Sequence, residues 1–430
     1  MRARVIMLFL SVIVLASPLG SLSGLVVKDA VSGTVSTQPE TDWWPKFHHD
    51  PANTGVSTST APSMKKILWK YQPDTGGFTS PIVANGSVYV GSLGSPKTSW
   101  QGRLSCLDAG TGAVRWTFTP ANSSVYADPV YDNGCVFLGT GNWGHLQDYL
   151  TDGLGEIDCL DAASGDLIWR YPKSLYVEGG PAVVDGCLYV GGCIQDQGIV
   201  LCLDAATGME RWNTTDIIGY IRSPVCIADT HVYVASVTGM IYGLDAGDGR
   251  ILWNHSTSGP LYCAPTVVSG RLFCGCQASS SGVNGGVYCL NASTGAVIWR
   301  TNASELRMVD RSSPAVAADK IYLGTWGRSG AIYCLNADTG AIQWSHSLFG
   351  YAHGADASPA VADGKVFVGT NRLLMGGLFL CLNASTGKTQ WSCRLPGRVY
   401  FSSPAIADGK VYYGLTEGII SNKGVLYCFG

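Results

Sequence analysis

One stretch recurs along this chain and sets what it can fold into. The segment Cys289-Leu290-Asn291-Ala292-Ser293-Thr294-Gly295-Ala296-Val297-Ile298-Trp299 has six further copies: Cys106 to Trp116, Cys159 to Trp169, Cys202 to Trp212, Gly243 to Trp253, Cys334 to Trp344 and Cys381 to Trp391. An eighth begins at Cys428-Phe429-Gly430 and stops at the C-terminus, and Trp69 is the candidate for its missing Trp. In each copy two β-prone runs flank Asn-Ala-Ser-Thr-Gly or Asp-Ala-x-x-Gly. The Asp or Asn side chain accepts backbone N–H bonds and the Gly supplies the positive φ that closes the turn. Each copy therefore reads as a β-hairpin whose second strand carries a packing indole with one N–H to satisfy.

A second hairpin precedes each copy. It opens on a small or polar residue followed by Pro, at Pro81, Pro129, Pro181, Pro224, Pro265, Pro314, Pro359 and Pro404, and its second strands include Val88-Tyr89-Val90 and Val411-Tyr412-Tyr413. Eight first hairpins and seven whole second hairpins balance if Ile67-Leu68-Trp69-Lys70-Tyr71 pairs with Val425-Leu426-Tyr427-Cys428. The expectation is an all-β, eight-bladed β-propeller of four-stranded antiparallel blades, closed by pairing of N- and C-terminal strands in the last blade. Radial repetition leaves only short, protected sheet edges. No long segment has a 3.6-residue period.

The unit resembles the pyrroloquinoline-quinone (PQQ) repeat, or tryptophan-docking motif, on its Ala-x-Thr-Gly-x-x-x-Trp signature from Lys66 to the end. The lead Trp44-Pro45 through Asp50-Pro51 to Thr54-Gly55 also looks like the segment that precedes such propellers. The resemblance implies that Trp69, Trp116, Trp169, Trp212, Trp253, Trp299, Trp344 and Trp391 each dock on a neighbouring blade. Some members of this fold are PQQ-dependent dehydrogenases that hold the quinone with calcium, an Asp, an Arg and, in many, a disulfide between adjacent Cys. This chain has no adjacent Cys pair, and no calcium-ligand set can be matched residue by residue.

Three regions precede or form the domain. Residues 1–24 read as a secretory signal: Arg2 and Arg4 lead an apolar run from Val5 to Ala16, broken by Pro18, Gly20 and Gly24. That run is short for a spanning helix, so cleavage is the first reading and an uncleaved anchor the second. Residues 25–62 form a Ser/Thr-rich linker and an aromatic lead, and 63–430 the propeller. His48 and His49 in the lead read as packing rather than metal ligands, because adjacent side chains on an extended chain point to opposite faces. With no later apolar span, the mature chain is expected to be secreted or held at the cell surface, and monomeric.

A formal net charge of −3 gives no electrostatic case for nucleic acid. Of 15 Cys, seven (Cys106, Cys159, Cys202, Cys289, Cys334, Cys381 and Cys428) occupy one repeat position and read as small buried hydrophobes. Bridges remain open among Cys135, Cys187, Cys193, Cys226, Cys263, Cys274, Cys276 and Cys393, and an odd total leaves at least one thiol unpaired. Seven sequons, at Asn85, Asn122, Asn213, Asn254, Asn291, Asn302 and Asn383, fit a glycoprotein outside the cytoplasm.

The candidate site is one mouth of the central channel. Loops entering the innermost strands carry Glu178, Arg222, Arg311 and Asp356. Loops between second and third strands carry Asn142, Trp143, Trp326, Arg328, Asn371 and Arg372. Arg and Trp are enriched where binding energy concentrates, and loops on a rigid scaffold carry function. The expected function is a non-catalytic binding scaffold for a protein or glycan at the cell surface, with no catalytic residues, metal or cofactor. The alternative is a PQQ-dependent dehydrogenase of alcohols or sugars, with PQQ and calcium.

Overall fold

The computed structural model describes residues 42–430 except 95–100, 122, 142–154, 172–174, 195–196, 258, 279–284, 302–305, 307–308, 328–329, 349–353, 373–375, 399–401 and 418–422. The signal segment, most of the linker, and the sequons at Asn122 and Asn302 lie outside the described residues. Every regular element described is a β-strand. They form eight antiparallel sheets, seven of four strands and a last one that gains the two-residue strand Gly397–Arg398. Blades 1 to 7 span 82–118, 130–170, 182–217, 226–256, 266–300, 315–347 and 360–395. Blade 8 joins Ala405–Ala407, Lys410–Glu417 and Lys423–Phe429 to Ile67–Tyr71, with Trp69 facing Cys428 and Lys70 facing Tyr427. The two ends of the propeller region thus share one sheet, as the repeat count requires.

The hairpin turns behave as their side chains dictate. Asn291 Oδ1 accepts from Ser293 N at 3.0 Å and Thr294 N at 3.0 Å, and Gly295 closes the turn at φ 70°. Beside each turn lies the indole of the preceding blade. Trp116 Nε1 donates to Ala162 O at 3.0 Å, Trp169 to Ala205 O at 3.0 Å, and Trp253 to Ala292 O at 2.9 Å. Trp69, Trp212, Trp299 and Trp344 donate in the same way to Ala109, Ala246, Ala337 and Ala384. At blade 8 the acceptor comes from the lead instead, where Trp391 Nε1 donates to Pro62 O at 3.2 Å. The turn glycine answers two demands at once: Gly208 has φ 71°, and a Cβ there would sit 2.6 Å from the Trp169 ring. Gly243 replaces the repeat cysteine for a related reason, since a Cβ there would meet the Trp253 indole at 2.4 Å.

All seven repeat cysteines are buried in the hydrophobic layers between blades. None of the 15 cysteines is in a disulfide, and Cys263 Sγ lies 3.6 Å from Cys274 Sγ.

The lead is part of the same compact unit, Thr41–Gly430. An innermost strand has an unpaired inner edge whose N–H groups need acceptors. The lead supplies them in passing. Tyr131 N donates to Pro45 O at 2.8 Å, Ile227 N to Pro51 O at 2.7 Å, Val267 N to Ala52 O at 3.0 Å, Val316 N to Thr54 O at 2.8 Å and Val361 N to Gly55 O at 2.9 Å. Together with Trp44, which exchanges two backbone bonds with Val83, and Ser59 Oγ, which accepts from Gly409 N, residues 44–59 touch blades 1, 2, 4, 5, 6, 7 and 8. The segment lies across one end of the channel as a plug. Gly55 is required by this passage: φ is 70° and a Cβ would stand 2.9 Å from Ala315 Cβ.

The plug is held by a buried polar knot. Lys46, fully buried, donates to Phe47 O at 3.0 Å, Asp50 O at 3.2 Å and Asn53 Oδ1. Burial lowers its ammonium to about 8 against the pull of Asp50. Asn53 Nδ2 donates to Val225 O at 3.1 Å and Pro265 O at 3.0 Å. The adjacent histidines part company: His48 pairs through Nδ1 with Asn53 O at 3.0 Å and stacks on Phe47, whereas His49 Nε2 meets Asp42 at 2.9 Å. Burial lowers His48 to about 4, while Asp50 and Asp42 raise His49 in spite of its own burial.

Candidate functional site at the open channel mouth

With one end plugged, the channel is a blind funnel. Its clear space is about 70 Å³, with Phe47 of the lead among its lining. Its waist is a belt built from the residue before the proline in six of the blades. Ala264 N donates to Ser313 Oγ at 2.9 Å, Ser313 N to Ser358 Oγ at 2.9 Å, and Ser358 N to Ser403 Oγ at 3.0 Å. Ser403 N donates to Ser80 Oγ at 3.0 Å, and Ser80 N to Asp128 Oδ1 at 2.6 Å. The belt ties blades 5, 6, 7, 8, 1 and 2 in sequence.

Next toward the mouth come residues three before the proline. Tyr126, Glu178, Tyr262, Arg311 and Asp356 hold that position in blades 2, 3, 5, 6 and 7 and line the funnel; Arg222, two before Pro224, joins them. The Glu178 carboxylate lies 3.4 Å from Arg222 Nε and 3.7 Å from Arg311 Nη1, and accepts from Tyr176 Oη at 3.4 Å. Each guanidinium also lies over a tyrosine ring, Arg222 on Tyr220 and Arg311 on Tyr262. Burial raises the Glu178 carboxyl and the two arginines oppose that rise.

Asp356 forms the other pole. Its Oδ2 accepts from Asn371 Nδ2 at 3.2 Å, and the Trp326 side chain also hydrogen-bonds it. Gly354 bridges the backbone of both Trp326 and Asn371. Asp356 Oδ1 is buried with no hydrogen-bond partner. Burial, followed by the neighbouring charge of Asp310, pushes the Asp356 carboxyl up to about 7.

The structure therefore brings together Glu178, Arg222, Arg311, Trp326, Asp356 and Asn371. Asn142, Trp143 and Arg328, and the side chain of Arg372, lie outside the described residues. Tyr126, Tyr262, Asp128 and Phe47 escaped a reading that searched for charge and Trp. The signal for three of them was positional: they stand one or three residues before a repeat proline.

Asp128 gives a pH-dependent prediction. Burial raises its carboxyl from 3.8 to about 7. Between those values it is protonated in the folded chain and ionised in the unfolded one. Its contribution to stability is fully present below about pH 4 and is lost as pH rises toward 7. Relative to Asp128→Asn, the wild-type chain is expected to lose up to about 1.4 kcal/mol per pH unit across pH 5–7. Urea unfolding of both chains at several pH values checks this; parallel curves would rule the buried acid out.

Eight blades around a plugged channel, seven of them with an Ala-x-x-Gly-x-x-x-Trp turn that reads Ala-x-Thr-Gly in five, define a PQQ-repeat β-propeller. The family model described as outer membrane protein assembly factor BamB matches residues 60–152, 153–322, 218–356 and 328–421. The chain belongs to this family. Among curated relatives, it is similar to quinohemoprotein alcohol dehydrogenase ADH IIB of Pseudomonas putida, 27% identical over 164 residues, which is 34% of this chain and 23% of that protein. It is also similar to outer membrane protein assembly factor BamB of Yersinia pestis, 30% identical over 140 residues, which is 30% of this chain and 34% of that protein. The chain thus covers only about a quarter to a third of the length of either relative. Among solved structures, a europium-containing methanol dehydrogenase superposes with TM-score 0.66 at 16% identity over 91% of this chain and 98% of that one. BamB from Moraxella catarrhalis superposes with TM-score 0.61 at 16% identity over 85% and 100%. At these identities the superpositions carry the fold alone. No helix among the described residues is long and apolar enough to cross a membrane.

Proposed function

We propose that this propeller is a monomeric, non-catalytic binding scaffold outside the cytoplasm, and that its funnel mouth takes part of a protein or glycan partner at the cell surface. One observation supports this most. The funnel is blind, Glu178 is paired with Arg222 and Arg311, and Asp356 is held by Asn371 through one oxygen while the other stays buried without a partner. That is the make-up of a preorganised recognition surface, in which fixed charges and aromatic faces set orientation. The basic, apolar N-terminal segment and the similarity to an outer membrane assembly factor support the location.

The donor set does not fit a calcium-held quinone. Calcium takes six to eight oxygen ligands. Glu178, a buried carboxylate of the funnel, is flanked by two guanidinium groups that would repel a divalent cation. Among the described residues no group of three or more His, Cys, Asp or Glu is arranged to hold a metal. The guanidinium groups beside Glu178 support the reading without calcium or quinone.

A photo-crosslinking residue at Tyr262 in the funnel should capture one discrete species on the native cell surface, and the same residue at Ile298 on the outer edge should not. Added PQQ and calcium should shift neither the melting temperature nor a dye-reduction assay with alcohols or sugars. Equal capture at both positions would remove the funnel as the site, and saturable dye reduction would make the protein a dehydrogenase.

A further inference from the structure

Blades 2 and 3 carry the same pair of thiols. Cys135 and Cys187 open the second strands of their blades, facing Asp161 and Asp204. Cys159 and Cys202 lie two residues away on the third strands, facing Phe137 and Tyr189. Such diagonal positions share one face of the sheet, within reach of one another. In both pairs the third-strand thiol is buried and the second-strand thiol half-buried.

Blade 3 alone of the two adds a cation. Arg211 Nη1 donates to Cys187 Sγ at 2.7 Å, while Nη2 donates to Asp204 Oδ2 at 2.7 Å. The residue before Trp169, the equivalent place in blade 2, is the exposed Ile168. Blade 1 has the same fork: Arg115 reaches Ser87 Oγ at 2.8 Å and Asp108 Oδ2 at 2.7 Å. Only in blade 3 does it end on sulfur. Cys187 also opens onto space. With Cys202, Tyr189, Arg211 and Trp212 it lines an open cavity between blades 3 and 4 of about 460 Å³.

We propose that Cys187 is the S-thiolation site of this chain, taking one half of a low-molecular-mass disulfide into the cavity between blades 3 and 4. The Cys187 sulfur attacks one sulfur of the incoming disulfide, whose S–S bond breaks as the new one forms. The departing half leaves as a thiol carrying the proton that Cys187 gives up. Cys187 is oxidised and the departing half reduced, so no further electron acceptor is needed. Negative charge spread over the sulfurs during exchange is stabilised by a guanidinium in contact with the attacking atom. The Tyr189 and Trp212 rings offer an apolar wall to the half that stays.

The repeat supplies the control. The reduced, folded chain is mixed with glutathione disulfide near neutral pH, quenched with acid at intervals and read by peptide mass spectrometry. Cys187 should acquire the glutathionyl group about 10-fold faster than Cys135. Arg211→Ile, which copies blade 2, should bring Cys187 down to the Cys135 rate, and Ile168→Arg should raise Cys135. Arg211 and Ile168 are exposed edge residues, and unchanged thermal melts would verify that both variants fold. Reaction of Cys187 no faster than Cys135, earlier reaction at the half-buried Cys193, or an Arg211→Ile rate equal to wild type would each overturn the assignment.

Discussion

Asn53→Ala is expected to destabilise the protein by about 3–5 kcal/mol, although Asn53 belongs to no blade. Asn53 is wholly buried, and its amide joins three parts of the molecule. Its two N–H groups satisfy the carbonyls of Val225 in blade 4 and Pro265 in blade 5, and its oxygen accepts from the Lys46 ammonium. Alanine would strand two buried carbonyls and take a partner from a buried cation, and each orphaned group costs about 1–3 kcal/mol. Backbone strain adds to this. Asn53 has φ 57°, a left-handed conformation that asparagine tolerates better than alanine. Urea unfolding followed by tryptophan fluorescence measures the loss; a change below about 1 kcal/mol would mean that the lead rides on the ring without holding it.

Arg222→Met comes next, with an expected cost of about 2–3 kcal/mol, below the range for a fully buried pair because Arg222 keeps contact with water. Its side chain is 23% exposed and that of Glu178 only 7%. Removing Arg222 leaves Glu178 with Arg311 as its remaining cation, at 3.7 Å. The cost therefore comes from a carboxylate deprived of compensation. Glu178→Gln in the same chain removes that charge and should recover more than half of the loss. Four chains in one denaturation series, wild type, each single variant and the double, decide the matter. Additive losses would mean that the two side chains are independent, as freely solvated rim charges would be. The result also bears on how the funnel is probed: swapping rim arginines alone would confuse lost binding with lost stability, so charge must leave in pairs.

The ring was legible because repetition turns eight weak signals into one. The turn Asn or Asp, the Gly at positive φ and the Trp at fixed spacing each had a local physical reason, and strand counting placed Ile67–Tyr71 beside the C-terminal strand. The funnel was legible in part. Glu178, Arg222, Arg311 and Asp356 were found by charge in loops that lead inward. Tyr126 and Tyr262 were missed because an uncharged residue in a loop carries no signal until the proline register is used as a ruler. The partnership of Glu178 with two arginines from blades 4 and 6 depends on distances across a channel, and no spacing along the chain encodes it. The plug was hidden for another reason. The lead lies outside the repeat, so nothing in its own residues tells which inner edges it covers, and a lysine such as Lys46 is ordinarily expected in water.

The shared last blade has a consequence for how the molecule comes into being. Ile67–Tyr71 is made early, but its partner Lys423–Phe429 is made only after the seven intervening blades. Until then an apolar edge bearing Ile67 and Leu68 waits unpaired, the situation in which β-rich nascent chains misassociate. Joining ends so distant in sequence makes closure a late and slow event in synthesis. A chain terminated before Lys423–Phe429 would lack the clasp while retaining the other seven blades, and such products should accumulate as chaperone clients rather than as slightly smaller propellers.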